Sequence, residues 1–109
     1  MKILLDENLP KKLKIYFAGE HEIFTVREKK WNGKRNGELL GLMTLGGFDA
    51  FVTIDKDLQF QQNIKRFPIK LFIIDAPNNK IETLSPYVEK LIRILSDSSR
   101  NQIVVINSG

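Results

Sequence analysis

Two short apolar runs each break directly into acids: Ile3-Leu4-Leu5 is followed by Asp6-Glu7-Asn8, and Phe51-Val52-Thr53-Ile54 by Asp55-Lys56-Asp57. A short apolar run without alternation reads as a strand buried on both faces, the kind found in parallel sheets covered by helices. If the two runs are parallel neighbours, about 4.8 Å apart, the acids at their carboxyl ends meet in the crevice where open α/β sheets place their sites. Carboxylates gathered there repel one another unless a cation or a shared proton sits among them. The pattern asks for a hard-metal site at one end of a sheet.

The remaining segments supply the other layers. Asn8 can cap a helix, Pro10 fits its first turn, and Leu9, Leu13, Tyr16 and Phe17 recur at helical spacing up to Gly19. Glu22 to Val26 reads as a second strand; a helix then opens at Asn36, turns Leu39, Leu40 and Met43 inward and stops at Gly46-Gly47. Ala50 to Ile54 is the third strand, Asp57 can cap a short helix through Asn63, and Ile69 to Ile74 is the fourth. A helix from Glu82 to Leu95 tolerates Pro86 near its start, and Gln102 to Ile106 is the final strand. Such alternation implies right-handed crossovers and a mainly parallel sheet. We expect one α/β domain over residues 1–109, a three-layer arrangement with helices on both faces of a mainly parallel five-stranded sheet. The expected order is 2-1-3-4-5, which sets strands one and three side by side at the switch point. The last strand, at an edge, is open to either direction.

Composition narrows the class. With 42% hydrophobic and 28% charged residues, the chain can bury a core and does not read as disordered. No apolar run approaches the roughly 18 residues of a membrane span, and the first residues read as a strand rather than a leader, so neither membrane insertion nor export is expected. The lack of cysteine removes disulfides and thiolate ligands and suits the cytoplasm. A net charge of +4 is compatible with a polyanionic partner without demanding one. Arg27, Lys29, Lys30, Lys34 and Arg35 crowd around Trp31, and Lys11, Lys12 and Lys14 follow the first acids.

Leu4-Leu5-Asp6-Glu7-Asn8-Leu9-Pro10, Thr25-Val26-Arg27-Glu28 and Thr53-Ile54-Asp55-Lys56-Asp57-Leu58 resemble a small PIN-like family, itself a domain of unknown function akin to the toxin nucleases of bacterial toxin-antitoxin pairs. The likeness runs through nearly the whole chain. Trp31-Asn32-Gly33-Lys34-Arg35-Asn36-Gly37-Glu38-Leu39-Leu40, Gly47-Phe48-Asp49 and Gln61-Gln62-Asn63 look like one subgroup of it. The resemblance implies a PIN-type sheet with an acidic pocket, Mg2+ or Mn2+, and hydrolysis of RNA phosphodiesters. It matches Asp6 to the first-strand acid and Asp55 and Asp57 to the acids after the third strand, the implied metal ligands. Glu38 lies near the start of the helix that often holds another acid. Where many relatives show Ser-Asp before Glu-Glu, this chain reads Arg35-Asn36-Gly37-Glu38, and Asn36 supplies no negative charge.

In the implied chemistry, carboxylates hold a hard cation that polarises a phosphate oxygen and activates water. Asp6 and Asp55 are the direct ligands, with Asp57, Glu7 or Glu38 orienting the nucleophile. Lys11, Lys34 and Arg35 take flanking phosphates, Asn8, Asn36, Gln61, Gln62 and Asn63 position ligands or contact a nucleotide, and Trp31 can stack a base. Partners implied are RNA and a small antitoxin-like protein, and self-association is left open.

Each assignment has an ordinary counterpart. Asp57 and Asn8 can be caps alone; Glu7, on the opposite side of a strand from Asp6, can pair with a lysine; Glu38 can complement a helix dipole; Trp31 can anchor its loop onto the core. Asp6 resists such an account, because an acid at the end of a central strand is costly unless paired or metal-bound. Two other classes share some features. A phosphoacceptor receiver-like domain also carries acids after strands one and three, but Asp75 stands where a hydroxyl is wanted and no lysine follows the last strand. A binding module with a PIN-like shell and no turnover accords with Asn36.

Overall fold

Every strand of the sheet runs the same way. In the computed structural model, which describes residues 1–17, 19, 21–95 and 101–108 without the side chain of Gln62, the strands are β1 (Lys2–Leu5), β2 (Glu22–Thr25), β3 (Ala50–Thr53), β4 (Lys70–Ile74) and β5 (Ile103–Ile106). Two α-helices, α1 (Asn36–Leu45) and α2 (Ile81–Leu95), and three 3-10 helices, Lys11–Tyr16, Lys56–Phe60 and Gln62–Arg66, connect them. The sheet order is β2-β1-β3-β4-β5, as expected, and β5 pairs parallel to β4. No helix among the described residues is long and apolar enough to cross a membrane.

The period-two alternation of a strand splits its side chains between two layers. Ile3, Leu5, Ala50, Val52, Phe72 and Ile74 pack beneath α2 and the first 3-10 helix, through Leu13, Phe17, Leu84, Val88 and Leu91. Leu4, Phe51, Leu71 and Ile73 face α1 and the later 3-10 helices, through Leu39, Leu40, Met43, Leu58 and Ile64. Burial of each large apolar side chain stabilises by about 1.5–3 kcal/mol. The two faces therefore fix the register: a slip by one residue would exchange the cores.

Two expected caps move. Asn8 does not cap the first helix, which is a 3-10 segment starting from Pro10 in extended conformation with no side-chain cap. A turn closed by Leu9 N donating to Asp6 O at 3.0 Å absorbs Asn8, and Pro10 defers the helix by restricting the residue before it. The amide oxygen of Asn8 is buried without a hydrogen-bond partner. Asp57 is likewise not the cap of its helix, because β3 ends at Thr53 and the chain turns at Asp55, whose side chain accepts from Asp57 N.

After β2 the backbone makes one capped turn. Thr25 N donates to Glu28 Oε1 at 3.1 Å and Glu28 N donates to Thr25 Oγ1 at 3.1 Å, a reciprocal capping box. The turn closes with Trp31 N donating to Val26 O at 3.1 Å, with Lys30 at a left-handed φ of 61°. Trp31 is half-buried against the α1 core, its ring edge-on to Phe48 at 5.8 Å. It anchors the loop.

Candidate active site

The register sets Asp6 beside Thr53. Leu5 pairs with Val52, and Asp6 N continues the ladder by donating to Val52 O at 2.9 Å. Thr53, fully buried, donates its hydroxyl to Asp6 Oδ2 at 2.6 Å and accepts from Asp55 N at 3.0 Å. Asp6 Oδ1 accepts from Glu7 N at 2.8 Å. One hydroxyl thus ties the ends of β1 and β3 together and brings Asp6 and Asp55 into one neighbourhood.

Burial holds the Asp6 carboxyl above the usual aspartate range; the Thr53 and Glu7 hydrogen bonds oppose it, and the like charges of Glu7 and Asp55 add to it. None of Asp6, Glu7, Asp55 and Asp57 has an ion pair among the described residues. Lys56, set between Asp55 and Asp57, turns instead to Asp75 at the end of β4. Thr53→Val should leave Asp6 Oδ2 and Asp55 N without their partners. We expect a loss of about 1–3 kcal/mol in urea unfolding and a further rise of the Asp6 pKa, seen by NMR titration; an unchanged midpoint would refute the linking role of this hydroxyl.

Above Asp6 opens a cleft of about 500 Å³ lined by Asp6, Glu7, Leu9, Lys11, Thr25, Arg27 and Glu28, a size suited to a small ligand. Glu7 lines this cleft with Asp6, where strand alternation would set it on the opposite side, and it has no ion pair among the described residues. Strand alternation has already ended at Leu5, and the following turn redirects the residue. Lys14 meets Glu28 at 3.0 Å and holds its carboxyl below the usual range. Lys11 and Arg27 are exposed and have no ion pair among the described residues.

The other expected site residues gather elsewhere. Arg35, Asn36, Gly37, Glu38, Gln61 and Asn63 line a second recess of about 660 Å³, with Lys34 meeting Glu38 at 4.0 Å. Glu38 is absent from the lining of the Asp6 cleft, because α1 begins only after the whole basic loop has been traversed. Asp57 is exposed and lines neither recess. The side chain of Gln62 lies outside the described residues. Among the described residues no group of three or more acidic or histidine side chains is placed to hold a metal ion. The Asp6–Asp55 neighbourhood, with the Thr53 hydroxyl, offers only hard oxygen donors.

Fold and site together define a three-layer α/β domain with an all-parallel sheet and two acids at its switch point, neither of them ion-paired among the described residues. The chain matches no protein-family model, no curated protein and no solved structure.

Proposed function

We propose that the chain is a divalent-metal-dependent ribonuclease of PIN-like type that hydrolyses RNA phosphodiesters at the Asp6–Asp55 pair. The observation that carries this is Asp6: a partly buried carboxylate with two acidic neighbours and no ion-pairing cation among the described residues. A fold tolerates such a costly arrangement where chemistry needs it.

The donor set suits Mg2+ or Mn2+. Mg2+ in phosphate chemistry is commonly held by one or two carboxylates, with water and substrate phosphate completing its shell, so two acids meet the need without a third. Asp6 and Asp55 would hold the ion, which when bound supplies Lewis-acid polarisation of a phosphate oxygen. Thr53 fixes the direction of the Asp6 carboxylate, Glu7 in the same cleft takes a proton from attacking water, and Lys11 and Arg27 neutralise flanking phosphates. The lack of cysteine suits the cytoplasm, where RNA is at hand.

Incubation of single-stranded RNA with the protein and Mg2+ or Mn2+ tests the proposal. Cleavage should stop with EDTA and in Asp6→Asn and Asp55→Asn. Absence of cleavage together with absence of divalent binding in calorimetry would overturn it. The separation of Glu38 from the acid pair, and its contact with Lys34, favours a second reading, a PIN-like binding module for RNA or a small protein. That reading holds if RNA is bound and never cut.

A further inference from the structure

We propose that the recess between the start of α1 and the 3-10 helix Gln62–Arg66 is a base-reading subsite, which holds one nucleobase of single-stranded RNA beside the bond to be cut. It rests on the nuclease reading and extends it by naming what selects the substrate. Among the described residues the lining contains no apolar side chain: Arg35, Asn36, Gly37 and Glu38 come from one side, Gln61 and Asn63 from the other. A wall of this chemistry recognises its occupant by hydrogen bonds.

Three carboxamides gather around this one recess. Asn36, Gln61 and Asn63 have no side-chain hydrogen bond among the described residues. Gln59, Asn79 and Gln102 use theirs on the chain's own backbone, Gln59 donating to Lys56 O at 2.9 Å, Asn79 to Asn8 O at 3.1 Å and Gln102 to three carbonyls, whereas the three at the recess stay open to an occupant. A carboxamide presents a donor and an acceptor in one plane, which matches the edge of an unstacked base, the usual target of sequence-specific RNA recognition. Arg35 has no ion pair among the described residues, while the Glu38 carboxylate meets Lys34, so the cation at the rim is left for a backbone phosphate. The two walls come within ordinary contact range at Gly37, where an added Cβ would lie 4.0 Å from Asn63 Nδ2.

Position ties this recess to the acids. Asp55 caps the 3-10 helix Lys56–Phe60, and Gln61 follows it directly. At roughly 2 Å of rise per residue the recess lies on the order of 10 Å from the acid pair. A nucleotide flanking the scissile phosphate can span that interval.

Fluorescence anisotropy with single-stranded oligo(rA), oligo(rC), oligo(rG) and oligo(rU), without divalent ion, tests the subsite in the full chain. The wild type and Asp6→Asn should prefer one base by about fivefold or more. Gln61→Ala with Asn63→Ala, both exposed side chains, should level the affinities while leaving circular dichroism unchanged. Equal binding of all four by the wild type, no binding of any, or a preference that survives the double substitution would overturn the subsite, and RNA cleavage would still stand as a separate result. Base-selective binding with no cleavage would instead refute the nuclease and keep the subsite.

Discussion

Asp6→Asn is expected to act in two opposite directions, removing divalent-dependent RNA cleavage while making the fold harder to melt. The loss in rate should be on the order of 100-fold or more, the scale on which removal of a single preorganised electrostatic group acts. The gain in stability follows from burial: Asp6 is held above the ordinary aspartate value chiefly by desolvation, so its charged form is a cost to the native state. Asn keeps one of the two bonds and reverses the other. Its carbonyl can accept from Glu7 N, and its amide can donate to Thr53 Oγ1, which has a second lone pair beside the one used by Asp55 N.

The sign with pH is definite. An acid raised on folding favours the native state below its unfolded pKa, about 3.9 for aspartate, and that favour is lost as pH rises through the raised folded value. The melting-temperature advantage of Asp6→Asn should therefore be greatest near neutrality and shrink as pH falls towards 4. Glu28, lowered by Lys14, works the other way in both proteins and cancels in the comparison. An Asn variant less stable than wild type at pH 7, or an advantage that grows on acidification, would contradict the account of Asp6.

Gln102→Leu should destabilise the fold markedly although it lies outside the apolar core. The Nε2 of Gln102 donates to Ile64 O at 2.8 Å, Phe67 O at 3.0 Å and Ile69 O at 3.1 Å, closing the turn before β4 against the start of β5. Leucine keeps the bulk and removes the donor. Leaving part-buried carbonyls unsatisfied costs about 1–3 kcal/mol, and each kcal/mol lowers the melting temperature of a domain of this size by roughly 4–8 °C. Gln102→Glu, an acceptor against three acceptors, should be worse at pH 7. A thermal melt of Gln102→Leu within about a degree of the wild type would show that water replaces the amide without cost, contrary to this estimate.

The sheet was legible because its central strands carry unbroken apolar runs, and β1 and β3 lie together as their matching acidic ends implied. The last strand and its place at the edge were legible too, but its direction was not, since Val105 is exposed and Ile103 and Val104 only half-buried, a pattern that does not fix direction. The nearness of Asp6 and Asp55 follows from parallel register and could be read in advance. The place of Glu38 could not, because a residue's position in a helical turn does not say on which side of a long loop that turn opens. Asn8 and Asp57 do not cap for local reasons: five residues, with a turn among them, separate β1 from the helix at Lys11, whereas only two separate β3 from the helix at Lys56, which puts Asp55 at the cap instead. The Thr25–Glu28 box was visible as Thr-x-x-Glu spacing. Gln102 announced nothing, as its partners lie more than 30 positions away.

The hydroxyl of Thr53 has a consequence for how this centre can vary. Since it bridges adjoining strand ends, it holds the Asp6 carboxylate to the backbone amide of Asp55 across one strand spacing of the sheet. Insertions or exchanges in the segments after β1 and β2 can reshape the surroundings, and with them whatever the centre accepts, while this inner link keeps its spacing like marks on a ruler.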